Sequence, residues 1–274
     1  MSAVAPTLTT LAISLDAGIA EVRLNRPEKS NAIDDTMWQE LRTAMRWADA
    51  APEVRVAILS GAGRQFCAGI DLAMLAGIAP RIARRDSARS REALRSIILD
   101  LQDCLASVER CRKPVLAAIH GACIGGAIDL VTCCDMRYAS IDARFSVREI
   151  DIAMAADVGT LQRLPRLVPD GIARELCFTG RTFDAREAQA MGLAARVFPP
   201  EALLPECRQI ALDLAAKSRF ALSQIKRVIN LGYDLDLPSA LELEAQAFAL
   251  CFASTDPHEG VKAFLEKRPP QFKP

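Results

Sequence analysis

The sequence predicts an α/β fold with a helical C-terminal region, and three patterns carry that expectation. Strand-like apolar runs alternate with helix-length segments up to about residue 200, the arrangement that produces parallel pairing. Two of these runs, VRVAILSG (54–61) and PVLAAIHG (114–121), read as buried strands that end in glycine. Beyond residue 200 almost everything has helical spacing. The expected organisation is therefore an α/β core over residues 1–200 and a helical region over 201–274.

The elements follow in order. Residues 9–25 alternate apolar and polar around Asp16-Ala17-Gly18, a hairpin signal. NRPEKSNAI is a loop, and 35–49 is a helix spaced through Met37, Leu41, Met45 and Trp47. After the strand at 54–61, GRQFCAGIDLAML is a loop running into a helix. Residues 81–111 are helix-prone and carry six arginines between Arg81 and Arg95. After the strand at 114–121, IGGAIDLVTCC is again a loop and then a helix. Short strands follow at 136–140 and 143–147, a helix at 184–191, a last strand in AARVFPP, and helices at 201–217, 220–233 and 238–254.

Composition excludes several classes. About half of the residues, 51%, are apolar and the formal net charge is zero. The chain can build a large core, and neither nucleic-acid binding nor a polybasic membrane contact is expected. No apolar run approaches the roughly 20 residues of a membrane span. The N-terminus lacks a basic leader pattern and the C-terminus, QFKP, is not a peroxisomal address, so a cytoplasmic protein is expected. Nine scattered cysteines form no CxxC pair and only two histidines are present, so no metal site is expected.

The chemistry sits where strand, glycine, loop, glycine, aspartate and helix recur: VRVAILSG…FCAGIDL and PVLAAIHG…IGGAIDL. Loops at the carboxyl ends of parallel strands form the crevice of such folds. Glycine lets main chain approach a ligand, and a helix N-terminus offers unpaired N–H groups. Two such loops side by side could aim two donors at one oxygen, or their glycines could serve close helix–strand packing alone. Neither loop is a dinucleotide or nucleotide-phosphate motif.

Three acids lie in or beside apolar sequence: Asp129, Glu149 and Asp157. A buried carboxylate is costly unless paired or used. Structural duties are the competing readings: Glu149 as a surface charge at a strand end, Asp157 as the cap of a helix starting near Val158, Asp129 as an acceptor for a neighbouring N–H. His120 reads as a turn residue, and GxSxG is absent. Carboxylates would have to move the protons.

QFCAGIDL, HGACIGGAIDL, FSVREIDI and GTLQRLP, in that order, resemble the crotonase superfamily of enoyl-CoA hydratases and isomerases over nearly the whole chain. The combination of Asp129, Glu149 and Asp157 is most similar to the Δ3,5-Δ2,4-dienoyl-CoA isomerase family; hydratases typically carry glutamate and glycine at the first and third positions. The resemblance implies a spiral of ββα units with a C-terminal helical region for trimers or hexamers. It implies an acyl-CoA thioester substrate, with CoA part of that substrate and no other cofactor. It places an oxyanion hole at the backbone N–H groups of Ile70 and Gly126, proton transfer on Asp157 and Glu149, and electrostatic support on Asp129. Ala68, Asp71, Arg26 and Lys29 become substrate-binding positions. One departure is Ala127, where the family commonly has a third glycine. Asp129 is one methylene shorter than glutamate, which retracts its carboxylate by about 1.5 Å and disfavours water positioning. The alternatives are an enoyl-CoA hydratase or Δ3-Δ2-enoyl-CoA isomerase, and a non-catalytic acyl-CoA-binding scaffold. The arginine-rich stretch reads as a solvated helix face or as a contact for CoA phosphates.

Overall fold

The computed structural model describes residues 4–272. The expected hairpin is β1 (Leu11–Asp16) and β2 (Ile19–Leu24), turning through Ala17 and Gly18, both at positive φ. Next come α1 (Asp35–Ala50), β3 (Val56–Gly61), two short helices α2 (Leu72–Ala76) and α3 (Ile78–Ile82), and the long α4 (Ser87–Arg110). The helix-prone stretch 81–111 is thus broken at 83–86, because Asp86 accepts the Arg89 N–H at 2.8 Å and starts a new helix.

β4 (Val115–Ile119), β5 (Ala122–Ile124), α5 (Gly126–Thr132), β6 (Met136–Ser140) and β7 (Arg144–Ser146) follow, then α6 (Thr160–Leu167), α7 (Asp170–Thr179), β8 (Phe183–Asp184), α8 (Ala185–Ala190) and β9 (Arg196–Phe198). The chain ends in α9 (Pro200–Ala215), α10 (Arg219–Gly232), α11 (Leu237–Phe252) and α12 (Asp256–Leu265).

The main sheet has the order β1-β2-β3-β4-β6-β9, parallel from β2 onward with β1 antiparallel at the edge. A small sheet, β5-β7-β8, stands beside it. One face of the main sheet packs Val22, Leu59, Ala117 and Ile119 under Met37, Trp38, Leu41 and Met45 of α1 and Leu105 and Val108 of α4. The other face packs Ile19, Ile58, Leu116 and Tyr138 against Leu203, Cys207 and Ala211 of α9. The apolar runs are continuous because both faces of the parallel strands are covered. The sheet's second face is therefore closed by residues beyond position 200.

α10 to α12 leave large apolar side chains in water, among them Phe248 and Phe252 on α11 and Phe264 and Leu265 on α12. Among the described residues no helix is long and apolar enough to cross a membrane, and no cluster of ligating side chains could hold a metal ion. All nine cysteines are free thiols.

Candidate active site

The two glycine loops are laced rung to rung. Phe66 N–H donates to His120 O (2.8 Å), Cys67 N–H to Ala122 O (2.9 Å) and Ile124 N–H back to Cys67 O (3.2 Å). Cys67 and Cys123 are bridge partners in parallel register, so the motifs FCAGI and ACIGG run alongside each other. Gly69 (φ +95°) and Gly125 (φ +54°) then turn each loop in the left-handed region, where side chains other than glycine are strained.

These turns leave particular donors unsatisfied. In the first loop Ala68 N–H donates to Ser30 O (3.0 Å), Gly69 N–H to Cys67 Sγ (3.4 Å) and Asp71 N–H to Ile33 O (2.9 Å). Between them, the Ile70 N–H has no protein acceptor among the described residues. In the second loop Gly125 N–H donates to Ser146 O (2.9 Å), whereas Gly126 and Ala127, which open α5, have no acceptor among the described residues. The two peptides abut: a Cβ built on Gly126 would lie 3.5 Å from Ile70 N, and one on Gly69 would lie 3.4 Å from Gly126 N. An anionic oxygen placed between Ile70 and Gly126 would meet two main-chain donors and the positive end of α5.

The acids surround this pair. Glu149 opens a short 3-10 turn (Glu149–Ile152) after β7. Its Oε1 would lie 3.2 Å from a Cβ on Gly125, so the carboxyl faces the second loop, and its Oε2 is buried without a hydrogen-bond partner. Desolvation, then the charges of Asp129 and Asp157, push Glu149 up to about 7. Asp129, on the first turn of α5, is 1% exposed. Its Oδ1 accepts the Thr160 N–H at 2.7 Å, and burial still raises it to about 6. Asp157 stands exposed on the turn before α6, with its carboxyl raised by desolvation from the surrounding wall. Asp157 does not cap that helix: α6 begins at Thr160 with Gly159 as its N-cap, and the carboxylate reaching its first amide is Asp129.

Arg26 and Asp71 form a structural pair. Both terminal nitrogens of Arg26 lie 3.1 Å from Asp71 Oδ2, and Arg26 also donates to Ala32 O (2.6 Å) and pairs with Asp34 (3.3 Å). Asp71 Oδ1 in turn accepts the Ala73 N–H at 2.9 Å and caps α2. Lys29 is exposed on the turn Pro27–Lys29, on the same loop. The structure therefore brings Ile70, Gly126, Asp129, Glu149 and Asp157 together, ties Ala68, Asp71 and Arg26 into the supporting loop, and leaves Lys29 at the surface. The arginine-rich stretch lies at the start of α4 and before it, and Arg89 and Arg95 pair locally with Asp86 and Glu92.

A sequence model of the family described as Enoyl-CoA hydratase/isomerase matches residues 14–274. The chain belongs to the enoyl-CoA hydratase/isomerase family. This member of the crotonase superfamily is 40% identical over 268 residues to the peroxisomal Delta(3,5)-Delta(2,4)-dienoyl-CoA isomerase of Arabidopsis thaliana, covering 97% of this chain and 96% of that protein. It is 36% identical to the crotonyl-CoA hydratase of Syntrophomonas wolfei, covering 93% and 94%. Its fold superposes on the crystal structure of an enoyl-CoA hydratase from Bacillus anthracis with a TM-score of 0.88 at 32% identity, covering 97% and 99% of the two chains.

Residues that tie the turn carrying Asp157 to α4 were not evident from sequence. Gln102 on α4 donates to the Asp157 carbonyl at 2.6 Å, and Arg163 on α6 pairs with Glu109 of α4 at 2.7 Å. The available signal was the seven-residue spacing of Gln102 and Glu109, which puts both on one helix face.

The raised Glu149 gives a testable pH dependence. Its folded value, about 7, exceeds the ordinary glutamate value of 4.5, so between those pH values the folded state binds more protons than the unfolded state. Stability tied to this group is present at low pH and lost as pH rises toward 7. Glu149→Gln removes the titration, so its melting temperature relative to wild type should climb from pH 5 to pH 8. A difference that stays flat across that range would contradict the raised value.

Proposed function

We propose that this protein isomerises a 3,5-dienoyl-CoA to the 2,4-dienoyl-CoA by carboxylate-mediated proton transfer. The thioester oxygen accepts hydrogen bonds from Ile70 N–H and Gly126 N–H. Asp157 removes a proton from C2, and the resulting negative charge delocalises over the thioester and the diene. Glu149 delivers a proton to C6, leaving double bonds at C2 and C4. No atom is gained or lost, and one carboxyl ends protonated as the other ends ionised. Each main-chain donor is worth about 3 kcal/mol to such an anion.

The observation that carries this reading is the Glu149 carboxyl. One of its oxygens is buried without a partner beside the donor pair, and the group sits at about 7. At neutral pH it is therefore available in the protonated form that an acid needs, next to a second carboxylate at Asp157. Asp129 is spent on the Thr160 amide and contributes through its charge. The free thiols support a reducing compartment.

A panel of 3,5-dienoyl-CoA and 2-enoyl-CoA thioesters, followed by ultraviolet absorbance, tests the proposal because conjugation reports which bonds moved. Isomerisation should exceed hydration by at least about 100-fold in kcat/KM, the scale of one well-placed acid–base group. Hydration as fast as isomerisation would reassign the protein as a hydratase. Tight thioester binding without turnover or C2 exchange in deuterated water would make it a scaffold.

A further inference from the structure

Four consecutive residues around Asp157 are held by three separate anchors. The Asp157 carbonyl accepts from Gln102 Nε2 at 2.6 Å. The Val158 carbonyl accepts from Arg163 Nη1 at 3.3 Å. The Thr160 N–H donates to Asp129 Oδ1 at 2.7 Å. Between them Gly159 adopts φ +119°, and a Cβ there would lie 1.8 Å from Arg163 Nη1. The space that glycine leaves is thus filled by the guanidinium.

Arg163 is fixed from its other side, with Glu109 Oε2 3.1 Å from Nε and 2.7 Å from Nη2. Gln102 and Glu109 are two turns apart on one face of α4. That helix is pinned to the core by Leu101, Cys104, Leu105 and Val108. The segment it grips is anchored on one side only: Val158 and Thr160 are buried, with Val158 in the main core, whereas Asp157 itself and the preceding Ile152 and Met154 are exposed. The exposed Asp157 side of such a turn would sample more positions unless its carbonyl were bound.

We propose that Gln102 is a positioning residue for Asp157, and that α4 sets the height of that carboxylate above the donor pair through Gln102 at one point and the Glu109–Arg163 clamp at another. The inference rests on the reading of Asp157 as the C2 base. A carboxylate displaced by about 1 Å loses up to roughly 100-fold in rate. The binding of the thioester, which rests on the glycine loops, is independent of that displacement.

The test is steady-state kinetics on a 3,5-dienoyl-CoA with four variants of the full chain. Gln102→Met keeps the side-chain length and removes the donor; kcat should fall about 10-fold or more while KM stays within about 3-fold. Gln102→Lys restores an N–H donor of similar reach and should recover most of the lost kcat. Glu109→Gln loosens the clamp from its far end and should lower kcat in the same KM-neutral way, which keeps the test alive if the methionine variant does not fold. Asp157→Asn is measured in parallel. If Asp157→Asn is inactive but Gln102→Met and Glu109→Gln keep wild-type kcat, the positioning role is wrong and the base stands. If Asp157→Asn keeps its turnover, the base assignment falls first. A loss in Gln102→Met that Gln102→Lys does not restore would mark Gln102 as a packing residue.

Discussion

Asp157→Asn should lower the rate of diene isomerisation by at least about 100-fold, the low end of what general acid–base catalysis contributes. The amide is nearly the size of the carboxylate, so the loss isolates proton transfer. Folding should be spared, for a reason visible in the electrostatics. The surroundings raise the Asp157 carboxyl above its ordinary range, so its charged form is disfavoured in the folded state. Replacing such a group by a neutral one removes a liability that is absent at low pH and grows as the carboxyl ionises. The variant's melting temperature at pH 8 should be no lower than that of wild type. Exchange of the C2 proton with deuterated water should fall with turnover. If exchange persists at the wild-type rate, another group takes that proton.

Gly69→Ala should have a comparable effect through a different part of the machinery. A methyl group at position 69 would meet the Ile124 carbonyl at 2.6 Å, which is backbone and cannot rotate away, and φ there is +95°. The first loop must then move off the second, and the amides of Ile70 and Gly126 separate. Losing one donor of an oxyanion hole costs about 100- to 1,000-fold in kcat. The variant should also melt earlier, since a non-glycine residue in this conformation is strained by about 1 kcal/mol or more. Gly171→Ala is the matched control, because a Cβ at that position in α7 meets nothing within 4 Å. It should keep full activity and melt no earlier, alanine being the better helix former by about 1 kcal/mol. Wild-type turnover in Gly69→Ala would mean that the spacing of the two amides does not matter to the reaction.

Much of this architecture could be read from local pattern. VRVAILSG and PVLAAIHG are legible because strands covered on both faces are continuously apolar, and β3 and β4 are so covered. The turns at Gly69 and Gly125 are legible because glycine is the residue that adopts those angles without penalty. The small sheet was only partly legible: β5 has three residues and β8 two, too few to show a period. α7 and α12 were missed. α9 reads as part of a helical tail, yet its apolar face closes the main sheet, a tertiary fact that helical spacing does not specify. The site divides the same way. Its donors and acids are announced by glycines and by carboxylates in apolar surroundings. The grip of Gln102 and Arg163 on the turn at Asp157 joins positions up to 55 residues apart, and only the folded chain reveals it.

The lacing of the two glycine loops has a consequence for how such a protein can change over time. Cys67 and Cys123 share a rung, the Cys67 peptide bonds to both Ala122 and Ile124, and the space beside Gly69 is already taken by the Ile124 carbonyl. A replacement in either strip is transmitted to its neighbour, so the effects of paired replacements will not sum. Single replacements should be tolerated more readily at exposed positions outside the two strips, such as Ile152 and Met154, than within them.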